Sequence, residues 1–137
     1  MAPTLRTATL GDVNALLTLW REAGSERTHT DDSAGVSGLI THDPEAVVVA
    51  VDGDRVVGSV IAGWDGWRGS IYRIAVAPSH RRAGLARTLL REAERRLDAR
   101  GARRASAIVA ADDAQAMAFW RASGWEQQRA RARFVRG

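Results

Sequence analysis

The sequence predicts an α/β fold, a mixed sheet with helices on both faces. Three observations carry this. Three runs of strand character follow one another, "EAVVVAVD", "RVVGSVIAGW" and "SIYRIAVAP", separated by Asp52-Gly53-Asp54 and by Asp65-Gly66-Trp67-Arg68-Gly69. Asp-Gly turns of this kind make the first two runs hairpin partners. A long amphipathic helix then enters directly behind the third run. Finally, a strand–helix unit precedes the three runs and another strand–helix–strand series follows, so the order reads β-α-(α)-β-β-β-α-β-α-β.

Each element has its own warrant. Leu5 to Ala8 reads as a short first strand. Thr9-Leu10-Gly11-Asp12 fits a capping box, with Thr9 as N-cap and Asp12 three residues on. A helix follows to about Ala23, with Val13, Leu16, Leu17 and Trp20 on one face, and Gly24 suits its end. "GSERTHTDDSAGVS" is polar and poorly patterned, with a short helix predicted from Asp32 to Thr41. This segment is either mobile or a wall of an acceptor site. "EAVVVAVD" is nearly continuously apolar, as a buried strand is, and Pro78 stops the third strand. The long helix runs from about Arg82 to Ala99, with Leu85, Leu89, Leu90, Ala93 and Leu97 as its apolar stripe. Glu92 and Arg96 pair one turn apart on it. "RRASAIVAAD" reads as a further strand, Asp113 to Ala122 as a short helix closed by Gly124, and "WEQQRARARFV" as a last strand.

Composition excludes several chemistries. The chain has 137 residues, read as a single domain over 1–137, with no cysteine, three histidines and no lysine. Disulfides, thiolate metal sites and a cysteine nucleophile are therefore out. So are Schiff-base and P-loop lysines. His29, His42 and His80 lack metal-ligand spacing, so no metal is expected. No apolar run approaches the ~18 residues of a membrane span. The first residues show no signal-peptide pattern, so a cytoplasmic protein is expected. The net charge is +4. The arginines are spread along the chain without a nucleic-acid-binding motif, so no nucleic-acid partner is expected. Arginine codon bias explains much of their number.

The stretch "SHRRAGLARTLL" carries the chemistry. A buried strand ends at Pro78, and a turn with Arg81, Arg82, Gly84 and Ala86 opens the long helix. Helix N-terminal N–H groups and the macrodipole attract anions. Gly84 and Ala86 permit close approach to the backbone, and Arg81, Arg82 and Arg87 add positive charge. Neither the Walker pattern nor the dinucleotide fingerprint is present. Two readings remain: a phosphate or pyrophosphate cradle, or a turn glycine beside solvated arginines.

"IYRIAVAPSHRRAGLARTLL" resembles the acetyl-CoA-binding segment of the GNAT N-acetyltransferase superfamily: an apolar strand ending in Val-x-Pro, then Arg81-x-x-Gly84-x-Ala86 entering a helix. "DDAQAMAFWRASGW" is similar to a second family segment, matched at Asp113, Ala116, Phe119, Trp120, Gly124 and Trp125. The two segments stand in the family's order and spacing, and the resemblance covers most of the chain, from the first strand–helix unit to the last strand. "DGWRG" followed by "IYRIAV" resembles small stand-alone bacterial members. The resemblance implies a mostly antiparallel central sheet with a splayed parallel strand pair. It implies acetyl-CoA in that gap as co-substrate. Backbone groups of Ile74, Ala75 and Val76 would then pair with the pantetheine arm, and N–H groups from Arg82 through Ala83, Gly84, Leu85 and Ala86 to Arg87 would hold the pyrophosphate. Arg81 would tune the charge there. Phe119 and Trp120 would border the thioester end.

The expected activity is transfer of an acetyl group to a primary amine by direct attack in a ternary complex, with a strand N–H near Val76 as oxyanion donor. The acceptor is a small-molecule or a protein amine, and the protein is a monomer or a homodimer. The chain departs from the family pattern at three positions. Trp120 stands where tyrosine is usual, and an indole supplies no proton at neutral pH. Asp113 replaces a common asparagine, and Tyr72 stands where many members carry a glutamate base. These departures keep a second reading open, a catalytically weak acyl-CoA-binding or regulatory module. Tyr72 either packs on the sheet or contacts the acceptor. Asp65 either builds its turn or attracts a cationic acceptor. Trp64 and Trp67 either line the acceptor site or cover the sheet. His80 titrates near neutrality or simply faces solvent, and Trp20 sits at core spacing.

Overall fold

A computed structural model describes residues 2–137, which form two compact units, one ending at Ala107 and one spanning Ile108–Gly137. The first unit is organised by the two Asp-Gly turns. Gly53 (φ 60°) and Gly66 (φ 91°) take the left-handed backbone that such tight turns need. They join strands β2 (Val47–Asp52), β3 (Arg55–Trp64) and β4 (Gly69–Val76) into an antiparallel meander. β1 (Thr4–Thr7) pairs antiparallel with β2, and β5 (Ala105–Ala107) pairs parallel with β4, giving the order β1-β2-β3-β4-β5.

Helices cover both faces. Gly58 and Ser59 are adjacent on β3 and so point to opposite sides. A Cβ on Gly58 would lie 3.0 Å from Leu89 Cδ1 of α3 (Leu85–Ala99), so that helix packs closely on one face. On the other, Trp20 of α1 (Val13–Glu22) donates its indole N–H to Ser59 Oγ at 2.9 Å. With both sides covered, Val47, Val48, Val49 and Ala50 are all buried, as a continuous apolar strand requires. The stripe Leu85, Leu89, Leu90, Ala93 and Leu97 is buried as its spacing predicts, and Arg96 Nε pairs with Glu92 at 2.8 Å.

The helix starts show how local chemistry sets boundaries. α1 is entered through one 3-10 turn at Leu10–Asp12, where the Asp12 carboxylate accepts the Thr9 N–H at 2.8 Å. Arg6 forks onto the same carboxylate at 2.7 and 2.9 Å. α2 (Ser33–His42) begins where Asp32 accepts the Gly35 N–H at 2.7 Å. α3 begins at Leu85 rather than Arg82, because Arg82 (φ 65°) and Gly84 (φ 78°) are left-handed and cannot continue a right-handed helix.

In the second unit, α4 (Ala114–Ala122) is capped by Asp113, which accepts the Ala116 N–H at 2.9 Å. Two sequence expectations are corrected here. The strand expected over "RRASAIVAAD" is confined to Ala105–Ala107. The strand expected over "WEQQRARARFV" does not form. Its would-be apolar face holds two alanines and Phe134, which is 94% exposed. That is too little buried area, at roughly 25 cal/mol per Å², to offset the ordering of the chain. Among the described residues no helix is long and apolar enough to cross a membrane.

Candidate active site

The site begins with a mismatch in strand length. β5 pairs with β4 only from Gly69↔Ala105 to Ile71↔Ala107, while β4 runs on to Val76. Beyond Ile71, β4 is therefore paired on its β3 side alone. The register on that side shifts, with Ile61↔Tyr72 but Ser59↔Ala75, so β4 holds one extra residue. This is a β-bulge, and it contains Arg73 at φ 53°. A non-glycine residue in this region is strained and is characteristic of functional sites.

The bulge changes which N–H groups face the open side. Ala77 N–H donates to Val57 O of β3 at 2.8 Å, and Gly69 N–H donates to Arg104 O, on the β5 side, at 2.9 Å. Alternating back from Ala77 puts Ala75 N–H toward β3, and Val76 and Ile74 N–H away from it. Without the extra residue this phase would be reversed. The expected donor near Val76 thus has a companion in Ile74.

Side chains hold the bulge. Ser59 Oγ–H donates to the Arg73 carbonyl at 2.8 Å and accepts the Trp20 indole N–H. The Arg73 guanidinium lies 5.5 Å from the Trp20 ring centroid and forms an ion pair with Asp31, Nε to Oδ1 at 3.2 Å. A crevice lined by Leu17, Trp20, Arg21, Ser25, Arg27 and Asp31 lies on this face.

The anion-binding stretch follows β4. Pro78–His80 form a 3-10 turn, and Gly84 in left-handed conformation precedes α3. Nothing lies within 4 Å of a Cβ built on Gly84, so the space before the helix is open. First-turn N–H groups of a helix point outward and, with the macrodipole, favour an anion there. The stretch is anchored from three sides. His80 Nε2 meets Asp52 Oδ2 at 2.8 Å, Arg55 reaches Ser79 Oγ at 3.4 Å, and Arg81 donates to Ala23 O at 3.0 Å. The hydrogen bond from His80 holds the Asp52 carboxyl below its ordinary range. Arg81 is thus engaged with the end of α1.

The acceptor candidates are placed as follows. Tyr72 is 53% exposed and its ring lies beside Gly63, a diagonal neighbour on β3, where a Cβ would lie 3.2 Å from it. Trp67 is 69% exposed, with the Arg68 guanidinium 3.9 Å from its ring centroid. Asp65 Oδ1 accepts the Trp67 and Arg68 N–H groups, each at 2.7 Å, so it builds its turn. Those backbone bonds, Arg68 first, hold its carboxyl below the ordinary range. Trp64 ends β3 beside that turn. In the second unit Phe119 and Trp120 meet edge to face at 5.6 Å, and Trp120 and Trp125 at 4.8 Å.

Sequence reasoning missed the Trp20–Ser59–Arg73 chain and Asp31. A tryptophan at core spacing carries one signal, an indole N–H that needs a partner when buried. Nothing in the sequence names that partner.

The comparisons with known proteins agree with this geometry. Residues 13–125 match the family model of the acetyltransferase (GNAT) family. Acetyltransferase SG1711 of Sodalis glossinidius is 31% identical over 117 residues, covering 85% of this chain and 82% of that protein. Ard1 from Thermoplasma volcanium superposes with a TM-score of 0.80 at 20% identity, over 90% of this chain and 82% of that one. The PaiA N-acetyltransferase from Thermoplasma acidophilum, solved in complex with coenzyme A, gives 0.76 at 14% identity, over 89% and 88%. The parallel β4–β5 pair, the bulge, the loop into α3 and these matches lead to one conclusion: the chain belongs to the GNAT family of acetyltransferases.

Proposed function

We propose that the chain transfers an acetyl group from acetyl-CoA to a primary amine by direct attack in a ternary complex. One observation carries this reading: the open side of β4 presents the Ile74 and Val76 N–H groups in the same segment that leads into the α3 N-terminus. A thioester arm fits that strand edge, and a pyrophosphate fits the space in front of Gly84. When bound, acetyl-CoA supplies an activated carbonyl and a thiolate leaving group.

The chain's residues contribute three things. The α3 N-terminus and the left-handed Arg82 and Gly84 hold the anion. Ala75 is buried and keeps the strand in place, the Ile74 N–H donates to the carbonyl oxygen as it gains charge, and the Val76 N–H pairs with the pantetheine arm. The exposed face around Tyr72, Trp64 and Trp67 receives the amine, and the phenol of Tyr72 is available to relay its proton. Phe119 and Trp120 belong to the second family-like segment, on the helix that Asp113 caps. The family match spans both compact units, which supports reading 1–137 as one domain.

Calorimetry with acetyl-CoA should show micromolar binding, and a thiol reporter should detect CoA release across an amine panel. The chain has no cysteine to interfere. Absence of acetyl-CoA binding overturns the proposal. Tight binding with no release across the panel would instead assign an acyl-CoA-binding module.

A further inference from the structure

Peptide units are planar and trans, so a carbonyl and the N–H that follows it point in opposite directions. The Arg73 carbonyl is held toward β3 by the Ser59 hydroxyl at 2.8 Å. The N–H of that same peptide unit belongs to Ile74. Holding the carbonyl inward therefore holds the Ile74 N–H outward, into the open side of β4.

At this point the bulge has taken β4 out of register with β3, so a side-chain hydroxyl does what a ladder bond does elsewhere. Ser59 suits the task because its proton has one direction available. Its oxygen already accepts the Trp20 indole N–H at 2.9 Å, so its own proton goes to Arg73 O. Ser59 is fully buried.

We propose that Ser59, oriented by Trp20, is a positioning residue that aims the Ile74 N–H at the developing oxyanion. The proposal rests on the acetyl-transfer reading above. It differs from a purely structural role in what it predicts. The ladder pairs Gly58↔Val76 and Ile61↔Tyr72 on either side hold the sheet without Ser59. Losing the hydroxyl frees one peptide unit to turn and leaves the cofactor-binding loop untouched.

The test uses the full chain with Ser59→Ala, Ser59→Thr and Trp20→Phe, measuring kcat, KM, acetyl-CoA affinity and thermal midpoint. Removing an oxyanion donor outright costs about 100-fold or more in kcat, so misdirecting it without removing it should cost roughly tenfold. Ser59→Ala should show that loss in kcat with KM and affinity little changed. Ser59→Thr, which keeps the hydroxyl, should recover most of it, and Trp20→Phe should fall between. A Ser59→Ala enzyme with wild-type kcat overturns the proposal. So does a parallel fall in kcat, affinity and midpoint that threonine does not rescue. The Ile74 amide resonance, compared between CoA and acetyl-CoA complexes, gives a readout independent of turnover. It should shift in the wild type and in Ser59→Thr, and less in Trp20→Phe; no shift in the wild type overturns the proposal even if Ser59→Ala does not fold. Should wild type release no CoA with any amine, the transfer reading fails by itself, and an Ile74 shift unaffected by either Ser59→Ala or Trp20→Phe still overturns this one.

Discussion

Asp31 and Arg73, 42 positions apart, form an ion pair that ties the α1–α2 connection to the bulged strand. Both side chains are largely enclosed, at 15% and 21% exposure. The polar stretch after α1 is thereby drawn to the residue at the β4 bulge. Asp31→Ala should lower stability by about 1–2 kcal/mol, between the values for exposed and for buried pairs. A double-mutant cycle with Arg73→Ala should show coupling near 1 kcal/mol. Acetyl-CoA affinity should not change, because neither side chain belongs to the phosphate stretch. Additive single-mutant effects would show that the pair contributes nothing.

Gly84 has open space where a Cβ would sit, so its requirement is conformational. At φ 78° an alanine costs about 1–2 kcal/mol. Gly84→Val adds bulk in front of the α3 N-terminus and should weaken acetyl-CoA binding by tenfold or more, read by calorimetry (~1.4 kcal/mol per tenfold). Unchanged affinity would move the pyrophosphate elsewhere.

Gly69 is a packing position. A Cβ there would lie 2.6 Å from Leu97 Cδ1, and Leu97 is 2% exposed. Gly69→Ala should cost about 1–3 kcal/mol through overpacking. Pairing it with Leu97→Val should recover part of that loss in a urea titration. No recovery would mean that the strain lies in the β4–β5 pairing.

Two carboxylates contribute most clearly to stability at acid pH. The hydrogen bond from Arg6, helped by the Thr9 N–H, lowers Asp12 from 3.8 to about 2. Arg95 and then Arg96 lower Glu92 from 4.5 to about 2. Folded values below unfolded ones give stability that is present above about pH 4.5 and lost as pH falls toward 2. The thermal midpoint should be level above that range and fall below it. Arg6→Gln should lower the plateau and shallow the fall. An identical slope in Arg6→Gln would remove Asp12 from the account.

Much of the site was readable in one dimension. The hairpin turns, the stripe of α3, the loop around Gly84 and the short helices placed at Asp32 and Asp113 each depend on residues within a few positions. Asp65 was open between two roles, and its bonds to Trp67 and Arg68 decide for the turn. The tail "RARARFV" alternates as a strand does, yet alternation describes only which face each residue would take. Whether a strand forms depends on the area that face can bury.

The sequence by itself determined the order of elements through α4, the β2–β3–β4 meander, and the turn at Gly84 before α3, because turn chemistry and helical period act locally. Only the tertiary structure decided the bulge at Arg73, the early end of β5, and the contacts that link Ser59, Trp20 and Asp31 to that bulge. Those features arise from register between strands and from contacts 14, 39 and 42 positions apart. No local pattern encodes such pairings, since each partner looks ordinary until the sheet brings the two together.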